Sequence, residues 1–221
     1  MTDVINTREI VLAVLTEVLE EDKYSHIVLR EVLEKYQYLE KRDRSFITRV
    51  AEGTLENLIE MDYIISQFSS VKVSRMKRMS VYQLKYMDSV PDSAVCNEGV
   101  KLAQRKGFFN LKGFVNGVLR SVARNLDKVK YPDPKEMPVP YLSVTYSMPE
   151  WILQSWLRLY DFETVETICR GIHKEHATTV RCNLNKASKK DIMESLQSQG
   201  VTVTEHPYLD YALNLSDYNY L

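Results

Sequence analysis

The sequence predicts a mainly α-helical chain: an all-helical orthogonal bundle followed by a small, partial α/β module. Apolar residues recur at helical spacing through the first 130 or so positions. Five of the seven prolines then fall between Pro132 and Pro149, and a β-rich run follows at Thr178-Thr179-Val180-Arg181-Cys182-Asn183. With 44% hydrophobic and 27% charged residues and only 7 Gly, the 221 residues exclude disordered, collagen-like and low-complexity classes.

In the first segment, Asn6 and Glu9 suggest a capping box ahead of Val11, Val14, Leu15 and Val18. Leu29, Val32, Leu33 and Tyr36 mark a second helix. A third runs through Ile47, Val50, Ala51, Thr54, Leu55 and Leu58 and continues, or kinks, toward Phe68. Ser74 to Met87 forms a fourth. Pro91 suits the first turn of a fifth, which contains Ala94, Val95, Leu102 and Ala103 and stops at Gly107. Leu111, Phe114, Val115, Val118, Leu119 and Val122 give a stripe at offsets 0, 3, 4, 7, 8 and 11. Gly113 and Gly117 on that helix suggest close helix packing.

The prolines define a linker at 132–140, separating a helical domain at 1–131 from an α/β module at 141–221. In the module, Glu150 to Tyr160 and Phe162 to His173 read as helices. Ser188 to Gln199 is a third, with Ser188 as N-cap, Asp191 at N3 and Gly200 at its end. Val201 to Thr204 and Tyr211 to Leu215 are strands. So few strands suggest an incomplete module.

The net charge of -1 conceals a strong partition. Residues 1–69 carry 8 basic and 14 acidic side chains, 70–131 carry 13 and 4, and 132–221 carry 8 and 12. The middle block, at +9, is the place to neutralise phosphates. Within it Lys112, Arg120 and Arg124, at offsets 0, 8 and 12, share one helix flank. Lys72, Arg75, Lys77 and Arg78 border a loop and helix start, and Lys101, Arg105 and Lys106 complete the set. The alternative is a solvated helical surface. Tyr82, Tyr86, Phe108 and Phe114 stand at spacings that a packed core also demands.

No glycine-rich phosphate loop and no nucleophile, base and oxyanion constellation emerges. Catalytic, cofactor-binding and metal-ligating residues are therefore all expected to be none. His173 and His176 lack thiolate or carboxylate partners at ligand spacing. Asp43, beside Arg42 and Arg44, reads as a helix-start ion pair. The odd number of cysteines (Cys96, Cys169, Cys182), without Cys-x-x-Cys, suggests reduced thiols, with Cys169 and Cys182 as packing residues. Met1 to Glu9 lacks signal-peptide character and the apolar runs are short, so a cytoplasmic chain without membrane contact is expected.

Three runs carry a family resemblance: Arg42-Asp43-Arg44-Ser45-Phe46 continuing to Glu52-Gly53-Thr54, Val90-Pro91-Asp92-Ser93-Ala94 to Leu102-Ala103, and Lys112-Gly113-Phe114-Val115-Asn116-Gly117-Val118-Leu119-Arg120. They resemble the NusB-like RNA-binding domain, shared by antitermination factors and the N-terminal part of RsmB (Sun/Fmu) family 16S rRNA cytosine-C5 methyltransferases. Ser147-Met148-Pro149-Glu150-Trp151 and Thr179 to Asn183 are similar to elements that open the methyltransferase region of the latter family. The resemblance implies 16S rRNA as partner, S-adenosylmethionine as cofactor of the full-length parent but none in this chain, and a catalytic domain missing beyond residue 221. That domain's cysteines stand in Pro-Cys and Thr-Cys contexts. Here Cys96 follows Val95, Cys169 follows Ile168 and Cys182 follows Arg181, so none takes their roles. The resemblance leaves as the alternative an antitermination or protein-binding adaptor, with a protein partner on the helical domain.

Overall fold

The structure, a computed structural model, describes residues 6–69, 75–174 and 178–216. The chain divides into two compact units at Arg170/Gly171. The first contains α1 (Thr7–Glu20), α2 (Ser25–Lys35), α3 (Lys41–Glu56), α4 (Leu58–Phe68), α5 (Arg75–Tyr86), α6 (Asp92–Arg105), α7 (Lys112–Asn125), α8 (Pro138–Thr145), α9 (Glu150–Leu157) and the start of α10 (Phe162–His173). The mainly α expectation holds.

Helix α5 organises the bundle, packing against α1, α3, α4, α6 and α7. Met76, Met79, Val81, Tyr82 and Gln83 are buried around it, with Val14, Leu15, Ile47, Val50, Ile64, Leu102 and Leu119 from its neighbours. A helix contacted on so many sides has little solvated face, and this decides the fate of its cations. The Arg8 guanidinium also turns inward, lying 4.9 Å from the Phe46 ring centre, and its Nε donates to Gln83 Oε1 at 2.9 Å.

Local chemistry sets the helix boundaries. Asn6 caps α1 by accepting from the Arg8 N–H at 2.9 Å. The expected reciprocal contact from Glu9 is replaced by an ion pair with Arg105 at 3.3 Å. The third predicted helix breaks at Asn57, whose backbone N–H and Nδ2 both donate to Gly53 O, separating α3 from α4. Asp43 lies in the first turn of α3, where a carboxylate suits the helix dipole. Among the described residues it makes no ion pair with Arg42 or Arg44. Pro91 is the N-cap of α6 rather than a first-turn residue, and Gly107 ends the α6 segment at φ +82°. Within the proline-rich stretch α8 starts at Pro138, because a proline at the first helical position has no donor to lose.

Gly53 permits the closest helix approach. A Cβ placed there would lie 2.1 Å from the Tyr82 ring, itself buried against α3. Gly53→Ala should therefore destabilise by about 1–3 kcal/mol through overpacking, read as a lowered urea midpoint at unchanged m-value. Restoration of stability in Gly53→Ala/Tyr82→Leu would confirm the clash.

A buried polar node joins α4 and α5 to the segment after α7. The Glu60 carboxylate, 3% exposed, accepts from Lys85 Nζ, from Tyr86 OH at 2.5 Å and from Tyr131 OH at 2.8 Å. The Glu60 N–H donates to Ser147 Oγ at 3.1 Å, and Ser147 adopts φ +45°. Burial, and next the Glu60 carboxylate, push the Tyr86 and Tyr131 phenols above their ordinary range. A raised acid pKa stabilises the fold below the unfolded value of about 10, and that contribution is lost as pH rises through the folded value. Between about pH 9 and about pH 11, wild type should lose stability more steeply than Tyr86→Phe/Tyr131→Phe, measured by urea midpoints.

The second small core of this unit contains Leu142, Leu153, Val165 and the thiol of Cys169. In the other unit, β1 (Thr178–Arg181), α11 (Lys189–Ser198), β2 (Thr202–Glu205) and β3 (Ala212–Ser216) form a three-stranded antiparallel sheet of order β1-β3-β2 with one helix against it. Val180 pairs with Leu213 and Val203 with Leu215, and with Cys182 they pack against Ile192, Met193 and Leu196 of α11. Ser188 is the N-cap expected for α11, with Asp191 at N3; the two close a reciprocal capping box, and Gly200 follows the helix end at φ +81°.

Candidate nucleic-acid interface

Residues 101–124 contain six basic and no acidic side chains, and they form the end of α6, the turn and most of α7, within an α6–α7 hairpin whose acids, Asp92 and Glu98, lie earlier in α6. Its inner face is fixed by apolar periodicity, with Val115, Val118, Leu119 and Val122 of α7 buried against the bundle. The opposite flank of α7 then carries Lys112, Asn116, Arg120 and Arg124, one every four residues, or about 6 Å of helix. Asn116 Oδ1 accepts from Arg120 Nε at 2.9 Å, which holds the guanidinium along the flank.

Between α6 and α7 lies an open groove of about 470 Å³, lined by Asn97, Lys101, Lys112, Gly113, Asn116 and Arg120. A second hollow of about 190 Å³ follows, lined by Asp92, Ser93, Cys96, Arg120 and Arg124. Arg120 belongs to both, so the cations form a continuous line. A Cβ at Gly113 or Gly117 would meet nothing within 4 Å, which corrects the close-packing expectation. Gly113 instead leaves the first turn of α7 open in the groove, and no side chain caps that turn. The positive end of the helix dipole and the Lys112 ammonium thus favour an anion at the same place.

The predicted basic residues separate into groups. Lys106, Lys112, Arg120 and Arg124 are exposed and make no ion pair among the described residues. Lys101 pairs with Glu98 at 2.7 Å and Arg105 with Glu9 at 3.3 Å, both at the surface, where such pairs exchange readily for a phosphate. Lys77 corrects the expectation of a mobile cation. It is 3% exposed, lies 4.9 Å from the Phe114 ring centre and has its pKa lowered by burial, because α5 is the central helix. Arg78 holds Asp62 in a two-point contact at 2.5 and 2.6 Å. Arg75 opens α5, and Lys72 lies outside the described residues.

Asn97, Gly113 and Asn116 were not among the residues predicted for the site. Only the position of Asn116, four residues from both Lys112 and Arg120, signalled its role. All three cysteines are buried and free, with the Cys96 thiol pushed up by burial, so none is an exposed nucleophile. No cluster of His, Cys, Asp or Glu among the described residues could hold a metal; His176 lies outside them. No helix among them is long and apolar enough to cross a membrane.

Residues 5–124 match the NusB family, and residues 148–219 match the family described as Methyltr_RsmF/B-like, ferredoxin-like domain. The chain is 33% identical over 216 residues to a probable ribosomal RNA small subunit methyltransferase B of Bacillus subtilis, across 95% of this chain and 48% of that protein. It is 27% identical to the same-named protein of Synechocystis, across 96% and 48%. The chain thus spans about half the length of these two curated relatives. It is also 31% identical over 104 residues to the transcription antitermination protein NusB of Acetivibrio thermocellus, covering 43% of this chain and 71% of that one. The crystal structure of PH0851 shares the fold at TM-score 0.66 and 18% identity, over 98% of this chain and 50% of that chain. With its family match spanning more than half of its residues, the chain belongs to the NusB family.

Proposed function

We propose that the α6–α7 hairpin docks ribosomal RNA, and that the chain serves as the substrate-positioning part of an S-adenosylmethionine-dependent 16S rRNA cytosine-C5 methyltransferase. The observation that carries the reading is the line of exposed, unpaired cations Lys106, Lys112, Arg120 and Arg124 beside an open helix N-terminus. Relatives named as small-subunit rRNA methyltransferases supply the substrate class, and ribosomal RNA makes the cytoplasm the place of action. Residues 1–131 take the docking role and 141–221 connect it to the catalytic part.

The two hollows beside α7 do not fit S-adenosylmethionine. They hold Lys101, Lys112, Arg120 and Arg124 against the single acid Asp92, whereas the sulfonium centre of that cofactor is itself positive. The buried thiols offer no attacking group. The part assigned to these residues is therefore binding and orientation. Affinity for a 16S rRNA fragment should fall with salt at a log–log slope of roughly -3 to -5, the range for about four to six phosphate contacts. A slope near zero in fluorescence anisotropy would sink the proposal. The adaptor reading draws on the similarity to antitermination proteins. It would gain from that same zero slope together with retained binding of a purified protein partner after nuclease treatment.

A further inference from the structure

The turn joining α6 to α7 does something a packed bundle does not require. Phe108, Phe109 and Leu111 are 51%, 62% and 49% exposed, three large apolar side chains within four residues. The turn is nonetheless ordered. Gly107 N–H donates to Gln104 O at 3.0 Å, Phe108 N–H to Ala103 O at 2.9 Å and Leu111 N–H to Phe108 O at 3.0 Å, and Gly107 supplies the left-handed conformation. The rings are thus held out on a hydrogen-bonded support.

Their surroundings identify the occupant. Lys106 precedes the turn, Lys112 follows it, and the groove beyond holds Lys101 and Arg120. A protein covering this apolar patch would have to bring its own acidic rim. Every nucleotide carries both complementary chemistries, a phosphate for the cations and a π-face for the rings. In a duplex those faces are hidden in the stack, so only unpaired nucleotides can use the rings.

Resting on the reading of the hairpin as an RNA surface, we infer that Phe108 and Phe109 form a stacking platform for unpaired bases of an RNA whose phosphates lie along the cations of the α6–α7 groove. The docking surface thereby selects a loop, bulge or single-stranded junction over a continuous helix.

The test uses the 221-residue chain with an unpaired oligonucleotide of about 12 nucleotides and its fully paired duplex, compared by anisotropy. Phe108→Ala/Phe109→Ala should weaken the unpaired RNA roughly tenfold or more, leave the duplex unchanged and leave the salt slope intact. Because both rings are exposed, thermal melts of this variant should match wild type. Phe109→Trp gives a direct readout, its added fluorescence being quenched by the unpaired RNA above the background of Trp151 and Trp156. Equal weakening on both RNAs, unquenched indole, or unchanged affinity would overturn the platform, and unchanged affinity would leave the rings to a protein partner. Failure of wild type to bind either RNA at low salt would instead overturn the RNA reading of the hairpin itself.

Discussion

Lys112→Glu/Arg120→Glu/Arg124→Glu should weaken binding of a 16S rRNA fragment by roughly a hundredfold at low salt, taking about 1 kcal/mol for each lost phosphate contact. The log–log salt slope should become shallower by roughly 3, because three cations no longer release counterions. Folding should be preserved, since all three side chains are exposed on the flank opposite the buried valines of α7. Arg78→Glu provides the contrast. Its wild-type side chain is held by Asp62, so reversal there should lower stability with little change in the salt slope. Equal effects of the two variants on RNA affinity would remove the special status of the α6–α7 flank.

The largest stability effect is expected at Glu60. Glu60→Ala leaves Lys85, Tyr86 and Tyr131 without the carboxylate that all three contact. Breaking a buried pair by removing one partner costs about 3–5 kcal/mol. The low end applies, because the Lys85 side chain retains 23% exposure and can turn toward water. A loss of about 3 kcal/mol corresponds to a fall in Tm of roughly 6–12 °C for a chain of this size. Glu60→Ala/Lys85→Met, which removes the stranded charge, should recover part of that loss. A double variant as unstable as the sum of the single ones would refute the coupling.

Helices whose apolar residues face one core were legible in the sequence. The 0, 3, 4, 7, 8, 11 stripe of α7 is that pattern, and its charged flank could be named from spacing alone. The Pro138–Thr145 helix was not legible. Its consecutive Leu142, Ser143 and Val144 are all buried, so no amphipathic stripe exists, and its prolines read as linker until Pro138 is seen at the first helical position. Lys77 shows the limit of charge counting. Whether a lysine is solvated depends on how many helices surround its own, and α5 is central only through contacts distant in sequence. Phe108 failed in the opposite direction. Its sequence position, like those of Tyr82, Tyr86 and Phe114, is compatible with a packed core, but the left-handed Gly107 ends the α6 segment just before it and the ring stands exposed. Asn116 and Gly113 share a helix with Lys112 and Arg120 but carry no charge, so charge counting passes over them, and only the folded groove adds Asn97 and Lys101 from α6.

If the proposed docking is right, RNA lies along the α6–α7 hairpin. Backbone amide chemical-shift perturbation of the isotope-labelled chain, titrated with an unpaired 16S rRNA segment at low salt, tests it most directly. The largest shifts should cluster between Asn97 and Arg124, strongest at Phe109, Gly113 and Arg120, while amides of α2 and α4 stay unmoved. Shifts concentrated on α2, α4 or the β1-β3-β2 sheet, with 97–124 silent, would contradict the assignment.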